Sequence, residues 1–145
     1  MAEHSFHLTA KWPGGRNTVG SIEAGNLKTD ISIPPEMNGP GIGTNPDEML
    51  LGAAATCYII TLAAKLERAN IETEKMSLES EGIVEVDDKG VITYKAIIHR
   101  PYVKADAELQ KKIERYMDQS EQSCMISRAL KGNVEIRLEK NFEAI

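Results

Sequence analysis

Thr44-Asn45-Pro46-Asp47-Glu48-Met49-Leu50-Leu51-Gly52-Ala53-Ala54-Ala55-Thr56-Cys57-Tyr58-Ile59-Ile60-Thr61-Leu62-Ala63-Ala64 is the stretch on which the fold turns. Its first residues carry a helix start. Asn45 can cap, Pro46 suits the first helical position, and Asp47 and Glu48 suit the positive end of the dipole. The pattern predicts a helix running to Ala69. From Met49 to Ala64 it is apolar almost all the way round, which predicts burial on most sides. A domain of this size cannot easily surround such a helix alone, so the pattern points to a dimer. The apolar run contains Gly52 and two Thr. It falls short of the ~20 residues that a bilayer crossing needs, so it reads as a core helix and not as a membrane span.

Before the helix the chain reads as strands and turns. His4 to Trp12 alternates loosely, Pro13-Gly14-Gly15 marks a turn, and Arg16 follows directly. Val19 and Ile22 precede a Gly25-Asn26 turn, Leu27 to Ile33 suggests another strand, and Pro34 to Gly43 is a loop. After the helix, Lys75–Val86 and Val91–Arg100 read as a hairpin joined through Asp87-Asp88-Lys89-Gly90 and ended by Pro101. Ala105 to Gln119 has helical spacing, with Leu109, Ile113, Tyr116 and Met117 in phase. A short helix begins near Ser120 or Ser123 and stops at Gly132, and Val134 to Leu138 alternates as a last strand. The order βββ-α-ββ-α-α-β defines an α+β protein, with residues 1–145 as a single domain.

Composition narrows the function. The chain has 145 residues, 41% apolar and 27% charged, near globular averages, which argues against disorder. The net charge is −5 with no basic stripe, so nucleic acid is not the expected partner. The N-terminus has no basic region followed by an apolar stretch, and the two cysteines then point to a reducing, cytoplasmic setting. They are far apart, not a C-x-x-C pair, and His4, His7 and His99 do not fall at zinc-ligand spacing from them. No metal is expected. No Gly-Lys-Ser/Thr phosphate loop appears, and no flavin or nucleotide is called for.

Taken alone, Cys57 reads as a small buried hydrophobe. To react it must become a thiolate. The helix dipole cannot do this, because Cys57 lies ~16 Å beyond Pro46 at 1.5 Å per residue, and burial acts the wrong way. A cation from elsewhere is required, and Arg16, always charged and with several donors, is suitable. Cys124, at the start of the short helix, is the more acidic thiol by local physics, since free backbone N–H groups favour an anion there. Asp47 and Glu48 are explained as helix-start charges. Glu48 lies ~13.5 Å along the axis from Cys57, so a role at the thiol needs a bridging Arg side chain or a helix break at Gly52.

Three groups of residues then resemble a known family. They are Gly14-Gly15-Arg16, the run Gly39 to Glu48 followed by Ala53-Ala54-Ala55-Thr56-Cys57, and Ser123-Cys124-Met125-Ile126-Ser127-Arg128-Ala129-Leu130. Together they resemble the OsmC/Ohr family (osmotically inducible protein C and organic hydroperoxide resistance protein), with the Gly-Gly-Arg turn closer to the Ohr branch. The resemblance implies antiparallel sheets around a long buried central helix in an intertwined homodimer. It also implies a peroxidatic Cys57, a resolving Cys124 and a thiolate-stabilising Arg16, with Asp47 or Glu48 serving Arg16. This reverses the local ranking of the two thiols. Two positions depart from the family pattern: Asp47 stands where Glu is usual, with Glu48 next, and Met125 stands where Pro is usual.

The implied activity is a thiol peroxidase of the antioxidant, stress-response kind. The Cys57 thiolate attacks an organic hydroperoxide, the sulfenic acid condenses with Cys124, and a dithiol, which the resemblance to the Ohr branch places on a lipoylated protein, reduces the disulfide. The apolar neighbours Met49, Tyr58 and Ile59 suit an alkyl hydroperoxide. Two other readings remain at this point: a non-enzymatic dimer that binds a hydrophobic small molecule, and a redox sensor that forms the same disulfide but turns over slowly.

Overall fold

The computed structural model describes all 145 residues, and they form two compact units, Met1–Met49 and Leu50–Ile145. In the first unit, β1 (Thr9–Lys11), β2 (Gly20–Ala24) and β3 (Leu27–Ile31) make an antiparallel sheet in that order. Gly25, at φ 59°, opens the two-residue turn between β2 and β3, a conformation that costs glycine nothing. The loop after β3 doubles back. The Ser32 hydroxyl donates to the Ile42 carbonyl (2.7 Å) and accepts from the Ile42 N–H (2.8 Å). Gly43, at φ 69°, lies so close to the Asp30 carbonyl that a side chain would collide with it.

The helix α1 spans Pro46–Arg68. Asn45 caps it, its side-chain oxygen accepting from the Glu48 N–H at 2.9 Å. The helix continues through Gly52, so no break brings its acidic start nearer to Cys57. At 23 residues it is, by length and apolar composition alone, long enough to cross a membrane. Its bounds lie within one residue of those the sequence predicts, with the charged turns at both ends included in the helix.

In the second unit, β4 (Lys75–Val86) and β5 (Ile92–Ala105) form the expected hairpin. Asp87 closes its turn by accepting the Lys89 and Val91 N–H groups, both at 2.8 Å. Next come α2 (Gln110–Ser123), α3 (Met125–Leu130), β6 (Glu135–Leu138) and β7 (Asn141–Ala144). β6 and β7 both pair parallel with β5, at Ala96–His99 and at Tyr102–Ala105. The second sheet is therefore mixed, not antiparallel throughout. A parallel pair needs a long crossover, and α2 with α3 supplies it.

β5 also runs through Pro101, where the sequence suggested an end. On the β6/β7 edge Pro101 faces the gap between Leu138 and Asn141, where no ladder bond is asked of it. β7 had no counterpart in the sequence reading.

The core packs one stripe of α1 onto the sheet and α2. Ala54, Tyr58, Leu62 and Leu66, each four apart, are its buried residues. Tyr58, Leu62 and Leu66 join Val103, Ile113 and Met117 in one cluster. The rest of α1 is more open than the sequence suggested: only 22% of its most apolar stretch is buried within the chain, and Ile60 is 67% exposed.

Candidate active site: two thiols among three helices

The geometry of the site begins with Tyr58. Its side chain is fully buried, its hydroxyl donates to the Met117 carbonyl of α2 (3.0 Å), and its ring stacks on His99 of β5 at 5.0 Å. These contacts fix the rotation of α1. Cys57, one residue earlier and 100° round the helix, is then half-buried.

Cys124 is the single residue between α2 and α3. Its N–H closes α2 on the Ser120 carbonyl (2.9 Å), and its carbonyl opens α3 by accepting from Arg128 (3.0 Å). Its own backbone is extended, at φ −58° and ψ 128°. The side chain is fully buried. Its thiol donates to the Cys57 sulfur at 2.6 Å, and the two are free thiols.

The two sulfurs have opposite acid–base character. Burial pushes the Cys57 thiol up, but hydrogen bonds from Cys124, the Ile126 and Met125 N–H groups and the Thr61 hydroxyl outweigh it and leave Cys57 below the ordinary thiol value. Burial pushes Cys124 up, and its proton, held by the Cys57 sulfur, is harder to lose. The start of α3 therefore serves both sulfurs: Ile126 and Ser127 also favour the Cys124 anion, as local reasoning suggested, but burial and the bond to Cys57 outweigh them there. The physical reason is reach: the free N–H groups of the first turn point out of the helix end, where the sulfur from α1 lies.

The other sequence candidates lie in the first unit. Arg16 donates to the Met37 carbonyl (2.8 Å), the Asn38 carbonyl (3.4 Å) and the Asn17 side chain (2.7 Å). Glu48 accepts from the Thr44 hydroxyl at 2.9 Å. Asp47 occupies the first turn of α1. Thr61 and the amides of Met125 and Ile126 escaped the sequence reading. The spacing of Thr61, four residues past Cys57 on a helix, was the one signal that could have found it.

No cluster of three His, Cys, Asp or Glu side chains could hold a metal ion. An open cavity of about 600 Å³, lined by Ile83, Lys95, Asn133 and Arg137 among others, contains neither thiol.

A half-buried thiol braced against a buried second thiol, on a long helix packed on a mixed sheet, defines a small α+β protein with a dithiol site. The family model for OsmC-like proteins matches residues 39–139, and the chain belongs to that family. It is 63% identical to the uncharacterized protein YmaD of Bacillus subtilis, over 99% of this chain and 97% of that one. It is 30% identical to the organic hydroperoxide resistance protein of Xanthomonas axonopodis pv. citri, over 93% and 92% of the two chains. Among solved structures, an organic hydroperoxide resistance protein from Legionella pneumophila shares the fold, with a TM-score of 0.81, 24% identity and coverage of 97% and 99%.

Proposed function

We propose that this protein is a thiol peroxidase that reduces organic hydroperoxides to alcohols, with Cys57 peroxidatic and Cys124 resolving. The observation that carries the reading is the 2.6 Å between the two sulfurs, combined with a hydrogen-bond pattern that favours the anion on Cys57. The relatives named as organic hydroperoxide resistance proteins support it. The half-exposed sulfur is the one a peroxide can reach, while the buried one keeps its proton.

In the first step the Cys57 thiolate attacks the distal peroxide oxygen. The O–O bond breaks, the alkoxide leaves and takes a proton, and Cys57 becomes a sulfenic acid. The Cys124 sulfur then attacks that sulfur, losing its proton as water departs, and a disulfide forms. An external dithiol, of which a dihydrolipoyl group on a protein is our candidate, restores both thiols by exchange and is itself oxidised. Arg16 is assigned the role of stabilising the thiolate on family likeness, and Asp47 or Glu48 that of orienting Arg16. The reaction calls for no metal and no cofactor.

We further infer that the working form is a homodimer, in which a second copy covers the apolar side of α1 left open in the single chain. A cytoplasmic, reducing setting would return both cysteines to the thiol state that the proposed cycle starts from.

The test is intact mass after one equivalent of tert-butyl hydroperoxide added to the reduced protein. The peroxidase loses two hydrogens to a disulfide, and with dihydrolipoamide it consumes excess peroxide over many turnovers. Two thiols that can still be alkylated after peroxide would sink the proposal. A disulfide without turnover would convert it to a redox sensor.

A further inference from the structure

We propose that His99 is a positioning residue for the dithiol: anchored by Ser80, its ring backs Tyr58, and Tyr58 in turn holds the Cys57 and Cys124 sulfurs in register. The side chains follow one another without a gap. Ser80 of β4 and His99 of β5 stand directly opposite in the antiparallel hairpin, so they share one face of it. The Ser80 hydroxyl lies 2.7 Å from the His99 Nδ1. The imidazole stacks on the Tyr58 ring, with 5.0 Å between centroids and 20° between planes. The Tyr58 hydroxyl donates to the Met117 carbonyl at 3.0 Å. Met117 belongs to α2, which ends at Cys124, and Tyr58 follows Cys57 on α1. One line of contacts therefore runs from the hairpin to both helices that carry a sulfur.

Packing alone does not account for an imidazole at this position. His99 is fully buried, and its Nε2 has no hydrogen-bond partner. A leucine would fill much of the same space without stranding a nitrogen, and burying a polar atom unpaired is unfavourable. What the imidazole supplies, and an aliphatic side chain does not, is a fixed plane. Its flat face meets Tyr58, and the hydrogen bond between Nδ1 and Ser80 stops the ring from turning about its own axis, a torsion that is otherwise broad. Burial holds the ring uncharged at neutral pH, so it adds no charge to the core.

The inference rests on the disulfide step of the proposed function, but not on peroxide. Two thiols whose helices are already in register lose little freedom when they join, so they close at a high effective concentration. Loosening the stack behind Tyr58 should lower that concentration.

The test is the dithiol–disulfide equilibrium of the full-length protein in mixtures of reduced and oxidised dithiothreitol, read by intact mass after alkylation of the remaining thiols. The variants are Ser80→Ala, which removes the anchor, His99→Leu, which removes the ring, and Ser80→Thr, which keeps the hydroxyl. Ile71→Val, in the same core cluster but outside the line of contacts, controls for lost stability, which urea unfolding measures for each variant. Ser80→Ala and His99→Leu should shift the equilibrium about fivefold toward the dithiol, the equivalent of one buried hydrogen bond. Ser80→Thr and Ile71→Val should follow wild type. Ser80→Ala and His99→Leu variants that match wild type would overturn the inference, as would an equal shift in Ile71→Val or a wild-type protein that forms no disulfide. The expected shifts in a protein that turns over no peroxide would sink the peroxidase reading and leave this one standing. Peroxide turnover without the shifts would do the reverse.

Discussion

The Tyr58 hydroxyl donates to the Met117 carbonyl at 3.0 Å, and this bond links α1 to α2 one residue away from Cys57. Burial, with the charges of Asp118 and Glu121 behind it, pushes the Tyr58 phenol well up, so it remains a donor at any pH the protein meets. Tyr58→Phe should cost about 1 kcal/mol of stability, the ordinary net worth of one buried hydrogen bond. Urea unfolding measures that loss. Stopped-flow peroxide oxidation of the variant should also show slower disulfide formation, since the helices that carry the two sulfurs are less tightly registered.

Met125 offers a test of the backbone donors. It is the first residue of α3, a position that proline tolerates. Cys124 before it, at φ −58° and ψ 128°, already has the extended conformation that a residue preceding proline prefers. Met125→Pro should therefore fold while deleting the one N–H that reaches Cys57 from this position. Losing a donor to the anion raises the thiol pKa, so the alkylation rate of Cys57 at neutral pH should fall several-fold. Met125→Leu, which keeps the N–H, should behave as wild type.

His99 makes stability depend on pH. It is fully buried, its Nδ1 lies 2.7 Å from the Ser80 hydroxyl, and its Nε2 has no partner. Burial lowers its pKa from 6.5 to about 4. The unfolded chain thus binds the proton first as pH falls. The stabilising contribution is complete above about pH 6.5 and is lost as pH falls through 4. The loss is on the order of 3 kcal/mol at most, at 1.36 kcal/mol per unit. His99→Asn retains a polar partner for Ser80 but does not titrate. Urea midpoints between pH 7 and 4 should fall less steeply for the variant than for wild type.

Ile60 reports on self-association. Its side chain is 67% exposed on α1 in the single chain. If a second copy covers it, Ile60→Glu buries a charge at the contact and shifts the protein to monomer, as read by sedimentation velocity. A wild-type protein that is already monomeric at all concentrations would remove the dimer from the proposal.

Much of this was legible in the sequence where local chemistry acts alone. Asn45 and Pro46 mark the start of α1, and Asp87 with Gly90 marks the hairpin turn, because caps and turns depend on a few adjacent residues. The course of β5 through Pro101 was not legible, because it depends on a gap between two strands more than thirty residues later in the chain. Nor was β7, whose residues Asn141 to Ala144 carry little strand signal and pair only because β5 offers an open edge. At the site, the chain itself shows two cysteines, but not that the amides at the start of α3 reach the sulfur of α1 as well as that of Cys124. That depends on the rotation of α1, which Tyr58 fixes by contacts with residues from distant segments.

Cys124 is the only residue between two helices, and both are fastened to its own peptide groups. It therefore works as an elbow: a small swing of its side chain or backbone changes the sulfur's position while the rods on either side stay wound. In the proposed cycle, passage between dithiol and disulfide would then leave the secondary structure wound, and amide exchange should be altered at this joint and hardly at all within α2.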